Sequence, residues 1–146
     1  MRRNTNDNTA IALLRQEFSF YVNEAELDRV LGFIADEGVT LIAFTITTMD
    51  KGDVYFVRMI VGPNNCNSSF ANKVAREALH SVCIRYHEKE VIQIIISEPS
   101  PGFGRKILQA LCPLRLFATY TGDNSLILNL SDNRTALKLL REANII

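Results

Sequence analysis

The chain repeats one order of secondary-structure elements, and this duplication limits the possible folds more than any single motif does. The first pass predicts a strand, a helix, a hairpin and a helix, at Phe18–Val22, Glu24–Glu37, Val39–Val61 and Ser68–His87. The second pass predicts the same order at Val91–Ser97, Pro101–Leu111, Leu114–Leu130 and Asn133–Asn144. Strands paired through hairpins, with helices between them, indicate an α+β fold around an antiparallel sheet.

Local signals support these elements. Leu27, Val30 and Ile34 recur at helical spacing, and Gly38 follows as a helix stop that tolerates a left-handed backbone. The turn sequence Asp50-Lys-Gly-Asp53 separates two runs rich in β-branched and aromatic residues, which is typical of a hairpin.

The duplicated order predicts two ferredoxin-like modules of βαββαβ type, each an antiparallel sheet with helices on one face. Residues 1–16 are then a flexible segment, 17–90 the first module and 91–146 the second. Two full modules need eight strands, but the sequence predicts six, with a short candidate at Ala10–Leu14. Strand 91–97 is therefore a candidate for sharing between the modules.

One sheet face has no helix to cover it, and the run Val91–Ile96 is almost continuously apolar. Packing against a second copy would bury both, so we expect a homodimer.

Composition argues against several classes of function. Lysine and arginine number 16, as do aspartate and glutamate, so no net basic charge favours nucleic acid, and such a partner is not expected. The apolar runs are too short to span a bilayer, and no membrane partner is expected. Three widely spaced cysteines fit reduced thiols, which predicts a cytoplasmic protein.

Three segments resemble ACT domains. Ser100-Pro-Gly-Phe-Gly-Arg-Lys-Ile-Leu108 is similar to the Pro-Gly-x-Leu-x-x-Val-Leu opening of that family. The stretch Asn133–Ile145 is similar to the closing helix of tandem ACT proteins, and Arg29–Val39 to the helix that ends in Ala-x-x-Gly-Ile-Asn. The resemblance implies amino-acid-like ligands bound at module interfaces and a regulatory role in metabolism.

The predicted ligand site combines two loops. One is Ser100, Pro101, Gly102, Phe103 and Gly104, where small residues and free helix N-terminal amides favour a carboxylate or phosphate. The other is Gly38, Val39 and Thr40, which the resemblance implies to lie beside a loop of another module. The alternative reading is structural, because tight turns and helix stops also need glycine.

The sequence gives less support for other kinds of site. His80, Cys83 and His87 fall at helical spacing but lack a fourth ligand, so no metal is predicted. No cofactor is expected, and no nucleophile with a base identifies an enzyme. The segment Lys51–Val57 faintly resembles the base-stacking strand of RNA-recognition modules.

The sequence thus predicts a non-catalytic sensor or regulatory subunit for a small metabolite, such as an amino acid. An interaction module without a ligand and an RNA-recognition-like protein remain as alternatives.

Overall fold

The computed structural model describes residues 10–49, 52–97, 100–122 and 124–146. The strands are β1 (Ala10–Val22), β2 (Leu41–Thr48), β3 (Tyr55–Val61), β4 (Tyr86–Ile96), β5 (Leu116–Gly122) and β6 (Ser125–Leu130). The helices are α1 (Glu24–Asp36), α2 (Ser69–Ser81), α3 (Phe103–Leu111) and α4 (Asn133–Glu142). The duplicated order of elements predicted from sequence is therefore present.

The six strands close into one barrel in the order β1-β3-β2-β5-β6-β4, and β4 pairs back with β1. Each pairing is antiparallel. The prediction of two ferredoxin-like βαββαβ modules is wrong, because closure makes a single domain. The physical reason is that β1 and β4 are long enough, at 13 and 11 residues, to pair with both halves of the chain.

Because β1 and β4 pair with strands of both halves, six strands are enough where two separate modules would need eight. Ala10–Phe20 pairs with β4, while Phe18–Val22 pairs with β3 on its other edge. The segment 10–16, which the sequence assigned to a flexible tail, thus forms the first part of β1. Residues 1–9 lie outside the described residues, and the boundary expected after Glu90 falls inside β4.

Three apolar clusters follow from the alternation of side chains along the strands. The first joins β1 and β3 to α1 and α2, around Phe18, Met59 and Leu79. The second joins β4 and β6 to α3 and α4, around Ile94 and Leu128.

The third cluster is made from the opposite strand faces, with Ile60, Val91 and Ile127. The strand faces that carry no helix therefore cover one another inside the barrel. The homodimer stays a prediction, but an uncovered sheet face no longer supports it.

The helix α2 ends earlier than its sequence pattern predicts. Cys83 has a left-handed backbone with φ of 57°, which stops the helix, and Tyr86 already starts β4. His80, Cys83 and His87 therefore lie on a helix, a turn and a strand. Within the described residues, no group of three potential metal ligands comes together. Nor is any described helix long and apolar enough to cross a membrane.

Closure depends on a close approach of β2 to β5. The register pair that joins them is Ala43 with Gly122, and a Cβ on Gly122 would lie 2.3 Å from the Ile42 carbonyl oxygen. We predict that Gly122→Ala lowers the free energy of unfolding by about 1–3 kcal/mol, because backbone must move to admit the methyl group.

Gly104→Ala is the matched control, since nothing lies within 4 Å of its added Cβ on α3. It should stabilise the protein by up to about 1 kcal/mol through helix propensity. Urea unfolding measures both variants. Equal stabilities of Gly122→Ala and the wild type would contradict the tight contact between β2 and β5.

Candidate functional site

The inside of the barrel is partly polar because β1 directs charged side chains into it. Phe18 and Phe20 face the helices, so the alternate positions Arg15 and Glu17 point the other way. Arg15 is 0% exposed and Glu17 is 1% exposed. In the sequence these two residues look like ordinary surface charges, and no prediction named them.

Glu17 is fully hydrogen-bonded inside the barrel. Its carboxylate accepts hydrogen bonds from Arg58 at 2.8 Å, from the Tyr120 hydroxyl at 2.7 Å and from the Asn129 amide at 2.8 Å. The Lys89 ammonium donates to the Asn129 side chain and to the Leu130 carbonyl. Both oxygens of this buried carboxylate thus accept hydrogen bonds from neighbouring strands.

The same surroundings shift the pKa values of two neighbouring groups. Burial raises the pKa of Tyr120, and the adjacent Glu17 carboxylate raises it further. Burial lowers the pKa of Lys89, although Glu17 opposes that shift. This end of the barrel therefore holds Tyr120 as a neutral hydrogen-bond donor, not as a phenolate.

Arg15 differs from Glu17 in its charge balance. Its guanidinium donates to the carbonyls of Pro63 and Val61, at 2.8 and 3.0 Å, and to the Gln93 side-chain oxygen at 3.0 Å. Among the described residues Arg15 makes no ion pair with a carboxylate, and its Nε has no hydrogen-bond partner. Burial lowers the pKa of Arg15, as expected for a cation without a counter-ion.

A cavity of about 340 Å³ lies beside this arginine. Its walls are small or apolar residues without charge: Gly38, Val39, Thr40, Gly62, Pro63, Ser68, Phe70 and Ala71. Gly62 is the wall between cavity and arginine, because a Cβ there would lie 3.3 Å from Arg15 Nη2. The Gly62 amide donates to the Thr40 carbonyl at 2.8 Å, which joins the two loops.

The N-terminus of α2 opens into the same cavity. Ser68 caps the helix, and its hydroxyl accepts a hydrogen bond from the Ala71 amide at 3.1 Å. The amides of Ser69 and Phe70 precede the first intrahelical bonds and so carry the positive end of the helix dipole. A helix N-terminus of this kind favours an anionic group, such as a carboxylate or a phosphate.

The two loops predicted from sequence do not meet in one chain. Gly38, Val39 and Thr40 line the cavity, but Ser100–Gly104 forms an exposed turn at the start of α3. Gly102 is the N-cap, with φ of 81°, and its left-handed backbone accounts for the glycine. No residue of Ser100–Gly104 is among the described residues that line this cavity.

The RNA-like strand is also placed differently from its sequence resemblance. Tyr55 packs against the first apolar cluster, so its ring is not a free stacking surface. Phe56 lies on the other face, 4.9 Å between ring centroids from Tyr21. Lys51 lies outside the described residues.

Comparison with known proteins gives a likeness in structure. No protein-family model matches the sequence, and no curated protein matches it either. Protein BT0572 from Bacteroides thetaiotaomicron has a TM-score of 0.71 at 20% identity, over 90% of this chain and 89% of that one. The ligand-free regulatory subunit of aspartate kinase from Thermus thermophilus has a TM-score of 0.65 at 13% identity, over 92% of this chain and 95% of that one.

Longer proteins contain a similar part. E. coli aspartokinase III, solved with aspartate and ADP, has a TM-score of 0.50 at 14% identity, and the match covers 90% of this chain but 31% of that one. At these identities the likeness shows the fold alone. The fold is ACT-like, which confirms that part of the prediction, whereas closure of the barrel contradicts separate modules.

The buried tyrosine gives a prediction in alkali. The ordinary pKa of tyrosine is 10.0, and in the folded protein that of Tyr120 is raised. Above about pH 10 the unfolded chain loses this proton and the folded one keeps it, so stability falls as pH rises, by up to about 1.4 kcal/mol per pH unit.

Tyr120→Phe should remove the fall in stability with pH that Tyr120 causes. At pH 8 this variant should be less stable than the wild type, because it lacks the hydrogen bond to Glu17. The lowered pKa of Lys89 has the opposite sign, but it acts in both proteins and cancels in their difference. Urea unfolding between pH 8 and 11 measures the slopes. Parallel curves for the two proteins would contradict a raised pKa.

Proposed function

We propose that this chain is a non-catalytic regulatory protein that binds a small carboxylate metabolite, an amino acid or a close relative, in the cavity between Gly38 and Ala71. The observation that carries the proposal is a cavity whose described walls carry no charge, open to a helix N-terminus and backed by a buried arginine that has no carboxylate partner among the described residues.

Each part of the ligand has a matching surface. A carboxylate fits the amides of Ser69 and Phe70, where the helix dipole and Arg15 both favour negative charge. Thr40 and Ser68 can exchange hydrogen bonds with a polar group. An apolar side chain fits against Val39 and the other apolar walls, and the volume suits a small ligand.

The regulatory part of the proposal is supported by the fold. The Thermus thermophilus chain is a regulatory subunit and matches over nearly its whole length. A protein of this kind acts by binding its ligand and altering a partner. We therefore propose that a separate protein carries the output.

A thermal-shift screen tests the proposal, with the twenty amino acids, their keto acids and small dicarboxylates as probes. A ligand at 100 times its dissociation constant adds about 2.7 kcal/mol, which raises Tm by several degrees. We predict that Phe70→Glu abolishes the shift. Its carboxylate, at the second position of α2, suits the helix dipole and competes for the same amides.

Two control variants locate the site. Gly104→Glu puts the same charge at the second position of α3, beside the other predicted loop, and Leu108→Glu puts it on an exposed apolar position of that helix. Both should keep the full shift. Loss in Gly104→Glu alone would move the site to Ser100–Gly104. The absence of any shift, together with capture of a purified partner protein, would favour an interaction module without a ligand.

A further inference from the structure

A second cleft, of about 720 Å³, lies at the opposite end of α2, where β4 begins. Its walls come from β1, β3, the end of α2 and the first residues of β4. Among the described residues it shares no lining residue with the cavity at Gly38, so it is a separate surface.

Aromatic rings dominate this cleft. Tyr21 and Phe56 are register partners on β1 and β3, and their ring centroids are 4.9 Å apart. The Tyr21 side chain is 60% exposed although it stands on a paired strand. His80 and Tyr86 form a second ring pair, 5.7 Å apart. An exposed ring held on a strand has little conformational entropy to lose, so it suits stacking with another flat ring.

The charge of the cleft is positive or neutral. Arg85 and His87 are exposed lining residues, and the lining residues that the structure describes include no aspartate or glutamate. Arg76 nearby is already paired with Glu88, through hydrogen bonds of 2.6 and 2.9 Å. Arg85, by contrast, makes no ion pair within the part of the chain that the structure describes. Its guanidinium is therefore available to an anionic ligand.

The turn before β4 presents this arginine. Cys83 has a φ of 57°, a left-handed conformation in which glycine is the usual residue. The turn returns Ile84 to the first apolar cluster and leaves Arg85 at the cleft. A non-glycine residue in this conformation carries strain, and such residues often occur at functional sites.

We propose that this cleft binds a mononucleotide. The base stacks on Tyr21 and Phe56, and the phosphate pairs with Arg85 and His87. The volume fits one small ligand. The chain has no net charge, as 16 basic residues balance 16 acidic ones, which favours a single nucleotide over a long phosphate backbone.

Calorimetry on the intact chain tests the proposal, with AMP, GMP, CMP and UMP as probes. Adenosine, inorganic phosphate and phenylalanine are the comparison ligands. Tyr21→Ala should weaken mononucleotide binding at least about tenfold, as expected for one stacked base. Arg85→Ala should weaken mononucleotide binding by a similar factor. It should leave the affinity for adenosine unchanged, because only the phosphate binds the guanidinium.

Matched substitutions control for general effects. Phe44→Ala removes another exposed aromatic on a strand, and Arg105→Ala removes another exposed arginine. Neither should change the affinity, and Phe70→Glu should leave it intact because it lies at the other cavity. Saturable binding lost in Tyr21→Ala and Arg85→Ala alone would support the site.

Three results would overturn the proposal. The first is no saturable binding of any mononucleotide at millimolar concentration. The second is phenylalanine binding at least as tightly as AMP, which would assign the cleft to aromatic amino acids. The third is a single-stranded RNA that binds far more tightly than its mononucleotides and loses affinity steeply with salt, which would assign a nucleic-acid surface.

Discussion

The barrel depends on one buried negative charge. Glu17 on β1 accepts hydrogen bonds from Arg58 on β3, Tyr120 on β5 and Asn129 on β6, and Asn129 in turn binds Lys89 on β4. Five of the six strands are thus joined through a single carboxylate and its immediate partners. Replacing a buried ion pair with apolar residues is often neutral in energy, but removing one partner costs about 3–5 kcal/mol. The network therefore contributes mainly to which strands meet, and the apolar clusters contribute most of the stability.

Closure explains why the molecule is one domain despite its duplicated sequence. The long strands β1 and β4 pair with each other across the two halves of the sequence, so neither half forms a complete sheet by itself. On the opposite side, β2 and β5 approach closely only near Gly122, where a side chain would meet backbone. The barrel is consequently held by a long paired seam on one side and by a short contact on the other. The charged groups around Glu17 lie between these two contacts. Their hydrogen bonds favour the observed strand pairing over other pairings.

The elements were predictable from sequence, and their partners were not. Helix periodicity and turn residues located α1, the hairpins and α4, because those signals are local. The extent of β1 was missed because Ala10–Leu14 reads as a short apolar run until β4 is there to pair with it. Arg15 and Glu17 were missed for a related reason. A charge that alternates with phenylalanine predicts a solvent-facing side, and only closure of the barrel turns that side inward. The sequence identified the glycine stop at Gly38 because that signal is local, but Gly62 and the start of α2, which complete the cavity walls, come from elsewhere in the chain.

The contrast between the two inward charges of β1 bears on function. Glu17 is neutralised by Arg58 at 2.8 Å, whereas Arg15 relies on carbonyl and amide oxygens. Burying a cation without a counter-ion costs stability, so an anion that binds near Arg15 would offset part of that cost. A carboxylate bound in the cavity would be attracted by the guanidinium, which lies behind Gly62. Because Arg15 also holds the Pro63 carbonyl, that attraction is coupled to the order of the loop that leads into α2. If the proposed ligand binds in this cavity, its binding would be linked to the position of this loop, and it could then alter the surface that a proposed partner meets.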